Sequence, residues 1–114
     1  MTNKDMIDLA NSINCKKSYE SFFEFASNFL MNQSINNDQK SILLFKAIKQ
    51  LSNNPKCGTS ALVLGKQGNH SSSDIKDWCR MMLNDRDLHN LSADELHYVM
   101  GYCARLSKIQ SANI

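Results

Sequence analysis

Any chemistry in this chain has to come from its four cysteines, its three histidines and one run of lysines. Cys15, Cys57, Cys79 and Cys103 lie more than 20 residues apart. None makes the close pairs of a zinc site, and their density is far below that of a disulfide scaffold, so they read as free thiols. A nucleophilic thiol needs exposure, nearby positive charge and an orienting base. Cys57, between Lys56 and Gly58, has the setting, but the sequence identifies no base for it. Cys79 and Cys103 fall on apolar helical stripes, where cysteine packs as a small hydrophobe. With His70, His89 and His97 they share no ligand spacing, so no metal site is expected. The carboxylate pairs Asp85/Asp87 and Asp94/Glu95 read as loop solvation and helix-start charge. No catalytic signature emerges, and the chain is expected to be non-enzymatic and to use no cofactor.

The lysine run is the most uneven feature. Residues 39–73 carry Lys40, Lys46, Lys49, Lys56 and Lys66 with no acid among them, together with the only proline and three of the four glycines. Residues 1–38 are net −2, residues 74–95 net −3 and residues 96–114 net +2, so the whole chain is only +2. That total announces neither nucleic acid nor membrane, and only local distribution can matter. The five lysines, with Asn69 and His70, could contact phosphates through counterion release, although no arginine is present in the stretch to read base edges. A solvated face pairing with the acids of residues 74–95 accounts for the same charges. The segment from Gly65 to Ser73 has parts of an anion-binding loop, glycines running into a helix start. It lacks the spacing of a phosphate-binding Walker loop and a preceding strand, and helix punctuation explains it as well.

These residues must be positioned by helices. A chain of 114 residues is expected to form one domain spanning 1–114. Thr2 and Asp5 can open a first helix, with Met6, Leu9, Ala10 and Ile13 on its inner face. Ser18 can cap a second, in which Phe22, Phe25, Ala26 and Phe29 form a stripe widened by Tyr19, Phe23 and Leu30. Four of the five phenylalanines fall within the eight residues 22–29, and without interleaved Lys or Arg they read as core rather than as a base-stacking surface. Asn36 or Asn37 caps a third helix to about Ser52, with Leu44, Ala47, Ile48 and Leu51 inside. Ile42, Leu43 and Phe45 point elsewhere, so this helix is apolar on more than one side.

A short helix is expected near Thr59 to Leu64, closed by Gly65. From Ser71, Ser72 or Ser73 a further helix places Ile75, Trp78, Cys79 and Met82 on one face, and Asn84 to Asn90 reads as a charged connection. Ser92 and Glu95 form an S-x-x-E capping box flanked by Leu91 and Leu96 as a hydrophobic staple. The last helix buries Leu96, Val99, Met100, Cys103 and Leu106, and leaves Tyr98, Tyr102 and Ile109 to one side. Gly101 interrupts it, which suggests either close approach of another backbone or simple tolerance.

The expected fold is therefore all-α, a compact bundle of five to six short helices. The leading expectation for function is a small protein-interaction module: an adaptor, an inhibitor or a small subunit of a larger assembly. Its candidate partner-binding residues are Phe45, Lys46, Lys49, Tyr98 and Tyr102. The alternative is a nucleic-acid-associated protein using the lysines, with Lys40, Lys56, Lys66, Asn69 and His70 as its anion-contacting set. The partner is a protein or a second copy of the chain. With no signal-like start and no apolar run of membrane-spanning length, a cytoplasmic location and no membrane contact are expected.

Overall fold

The computed structural model describes residues 2–53 and 72–112. The helix expected near Thr59, and with it Lys56, Cys57, Lys66, Asn69 and His70, lies outside these residues.

Six α-helices and one 3-10 turn make up the described chain, and no strand occurs among the described residues. Helix α1 spans Asn3–Ser12. Its start is the expected capping box: the Asp5 N–H donates to the Thr2 hydroxyl at 3.2 Å, and the Thr2 N–H donates to the Asp5 carboxylate at 3.1 Å. Those hydrogen bonds hold the Asp5 carboxyl below its ordinary value. Met6 and Ala10 are buried on its inner face, Ile13 follows at the C-cap, and Leu9 is half-buried.

Ser18 does not cap the second helix. A 3-10 turn, Lys17–Tyr19, leads into α2, Glu20–Leu30, whose N-cap is Tyr19 without a side-chain bond. The reason is packing. Tyr19 is buried, with its ring 6.0 Å from Phe22 and 6.4 Å from Phe23, and the Lys16 ammonium lies 5.6 Å from the ring centroid. Burying an aromatic ring contributes about 1.5–3 kcal/mol, against about 1 kcal/mol for a serine cap. On α2 the buried residues are Phe22, Phe23, Ala26, Ser27 and Leu30. Phe25 and Phe29 stand half-buried and edge-on to one another at 6.0 Å. The inner face is thus turned from the expected stripe toward Phe23.

Helix α3 is Asn37–Asn53, and the Asn36 carbonyl accepts the N–H groups of Gln39 and Lys40. It buries Leu44, Phe45, Ile48 and Leu51, and also Lys40. Helix α4 is Ser72–Asn84. Its expected face of Ile75, Trp78, Cys79 and Met82 is fully in the core. The connection after it is not a plain loop, because Arg86–His89 forms a one-turn helix, α5. Asp85 caps it, accepting the N–H groups of Asp87 and Leu88 at 3.0 and 3.3 Å, and Leu88 is completely buried. Helix α6 is Ala93–Ala112.

The last helix organises the rest. Helix α2 packs along it most extensively, α1 and the 3-10 turn lie against the same helix, and α3 packs mainly on α4. Trp78 joins the two halves, its ring 5.6 Å from Phe22 and 5.9 Å from Phe23. This contact explains the turned face of α2: the indole covers both rings, and the Phe25 side is left at the margin. The Cα radius of gyration is 13.4 Å, against about 13 Å expected for a compact chain of this length. No helix among the described residues is long and apolar enough to cross a membrane.

Candidate functional site

The start of α6 is fixed locally. The Glu95 N–H donates to the Ser92 hydroxyl at 3.2 Å, the Ser92 N–H donates to the Glu95 carboxylate at 3.0 Å, and Leu91 and Leu96 are both buried as a staple. The Ser92 bond holds the Glu95 carboxyl below its usual range. With the start set, helical spacing sends Leu96, Val99, Met100, Cys103, Ala104 and Ser107 inward. Tyr98, Arg105 and Ile109 are exposed, and His97 and Tyr102 are half-buried between the two sides.

Along that outer side runs a notch of about 150 Å³ lined by His97, Tyr98, Gly101, Tyr102 and Arg105. Gly101 makes its floor. A Cβ there would lie 3.7 Å from the Ser27 hydroxyl of α2, an ordinary contact, so among the described residues what approaches Gly101 is a side chain and not a backbone. His97 closes one wall. Its Nδ1 is 3.1 Å from the Ser27 carbonyl oxygen and 3.1 Å from the Ser27 hydroxyl. A carbonyl can only accept, so Nδ1 carries the proton. Ser27 belongs to the last turn of α2, where carbonyls lack intrahelical donors, and His97 supplies one from another helix.

His89 has the same duty on α4. Its Nε2–H donates to the Leu83 carbonyl, in the last turn of that helix, at 3.0 Å. Phe45 stacks on this imidazole, ring centroids 3.9 Å apart and planes 24° from parallel. Phe45 is therefore a buried prop for a helix end and does not stand on an open face with the lysines beside it. Lys40 also departs from expectation, since only 8% of its surface is exposed. Lys46 and Lys49 are exposed, and the spacing of Ile42, Lys46 and Lys49 sets them on one side of α3, where Ile42 is 67% exposed. Among the described residues the notch draws its lining from α6 alone, and neither Lys46 nor Lys49 lines it.

Two other clefts carry less chemistry. The larger, about 660 Å³, is lined by Lys16, Lys17, Ser18, Glu20, Ser21, Glu24 and Asp74, a mixture of signs without an aromatic wall. Another, about 290 Å³, lies where α3 and α6 begin; its acids Asp38 and Asp94 already complement the two helix dipoles. Among the described residues no group of three or more His, Cys, Asp or Glu could hold a metal ion. Cys79 is buried, and burial pushes its thiol up to about 12, far from a nucleophile at neutral pH. Sequence reasoning passed over His97, Gly101 and Arg105 as site residues, although their i, i+4, i+8 spacing with Tyr98 and Tyr102 alongside was readable as one side of a helix. No protein-family model, no curated protein and no solved structure matches the chain.

Proposed function

We propose that the chain is a non-enzymatic protein-interaction module, an adaptor, inhibitor or small subunit of a larger assembly, that meets its partner with the outer side of α6. The observation that carries this reading is the glycine-floored notch between Tyr98, Tyr102 and Arg105. Tyrosine and arginine are among the residue types that most often dominate binding energy, because each combines a broad apolar surface with a directed polar group. Ile109, 56% exposed, extends the same side by one turn. His97 tethers this face to α2, so it is held in shape before any partner arrives, which reduces the ordering that binding must impose.

The nucleic-acid alternative now rests, among the described residues, on Lys46 and Lys49. Burial of Lys40 counts against it, and Lys40→Glu would test folding rather than binding. Size-exclusion chromatography with light scattering and affinity capture from native lysate separate the readings. A retained protein, lost with Tyr98→Ala and Arg105→Glu and kept with Lys46→Glu/Lys49→Glu, supports the α6 face. Binding to duplex or single-stranded nucleic acid that weakens steeply with salt and disappears in the lysine variant supports the alternative. A monodisperse monomer that retains nothing counts against both.

A further inference from the structure

We propose that the outer side of α6 pairs antiparallel with the same side of a second copy of the chain, about a two-fold axis at Gly101, a pairing that rests on the reading of α6 as the partner-binding face. Asp94, Tyr98, Gly101, Arg105 and Lys108 follow one another at steps of four, three, four and three residues. At about 100° per residue these steps keep all five within an arc of about 80°. Asp94, Tyr98, Arg105 and Lys108 are exposed, with Gly101 half-buried among them, while Leu96, Val99, Met100, Cys103 and Ser107 fill the opposite side and are buried. Among the described residues none of Asp94, Arg105 and Lys108 makes an ion pair. The stripe is therefore polarised: an exposed acid at its start, a glycine in its middle and two exposed bases beyond.

An antiparallel second copy complements each of these features. With Gly101 facing the partner's Gly101, Asp94 stands opposite the partner's Lys108, because each lies seven positions from the axis. Tyr98 then lies beside the partner's Arg105, whose planar guanidinium can stack on the ring. Two-fold symmetry repeats both contacts, so the seam holds two Asp–Lys pairs and two Arg–Tyr pairs. Parallel pairing would instead set Asp94, Arg105 and Lys108 each against its own like charge. Glycine at the axis lets two helices approach to about 8 Å, and the notch of about 150 Å³ around it has room for side chains of the partner. From Asp94 to Lys108 the seam is about 21 Å long. One helix on one helix lies at the small end of protein interfaces, so the dimer is expected to be weak and reversible.

Sedimentation equilibrium of the full chain at low salt tests this. Between about 5 and 500 µM the weight-average mass should rise from monomer toward dimer and go no further, since a two-fold contact closes on itself. Asp94→Lys sets lysine against lysine at both ends of the seam, and Lys108→Glu sets acid against acid. Each variant alone should pair about tenfold or more weakly than the parent chain. An equimolar mixture of the two brings opposite charges together again at both ends, so it should form a one-to-one heterodimer with an affinity close to that of the parent dimer. The parent chain's mass is decisive even if a variant folds poorly. A monomer throughout the range, growth beyond two copies, single variants that pair as well as the parent, or a mixture that stays monomeric would overturn the antiparallel pairing. The reading of α6 as a partner-binding face fails separately, if a different protein captured from lysate is still retained by Tyr98→Ala.

Discussion

At the scale of single residues, what decides a role is the group each side chain meets, and here several polar groups are engaged in holding helices together. His97 and His89 each donate to a carbonyl in the last turn of a neighbouring helix. Gly101 is open to a sharper trial. It lies in a helix interior, and among the described residues a methyl group there would meet only the Ser27 hydroxyl, at normal contact distance. Gly101→Ala should therefore stabilise the protein by about 0.5–1 kcal/mol, measured by urea unfolding. The same methyl group fills the notch floor, so the variant should bind its partner less tightly while being more stable. Equal or lower stability would mean that the α2–α6 contact is closer than it stands.

At the scale of elements, the decisive question is which side of each helix is covered. On α2, Phe22 is fully buried against Trp78 and Phe25 lies at the margin. Phe22→Ala should lower unfolding free energy by about 3–5 kcal/mol, and Phe25→Ala by less than half as much. Reversal of that order in a denaturant series would restore the stripe centred on Phe25. The start of α6 carries a pH dependence. The Glu95 carboxyl has a folded pKa below its ordinary value of 4.5, so its contribution is complete above that pH and is lost as pH falls through the folded pKa. Glu95→Gln should show a shallower acid limb of stability below about pH 4.5 than the parent chain. Identical limbs in acid titrations followed by circular dichroism would place the acid sensitivity elsewhere.

At the scale of the molecule, one core cluster draws on every described helix, with Trp78 between Phe22 and Phe23. Because Trp78 is the only tryptophan, its fluorescence reports on the junction of the two halves. Urea transitions followed by fluorescence and by helical circular dichroism should coincide, as for a single cooperative unit; separated midpoints would reveal two. The sequence by itself determined the five longer helices among the described residues and much of their inner faces. Hydrophobic period and capping boxes act within a few residues, so Thr2, Asp5, Ser92, Glu95 and the Ile75–Met82 stripe could be read where they stand. The one-turn helix behind Asp85 was too short for any period to show. Only the tertiary structure decided which remaining sides were covered: that Phe45 lies under His89, that Lys40 is buried, and that Trp78 turns α2 toward Phe23. Each depends on where separate helices cross, and local spacing holds no record of that.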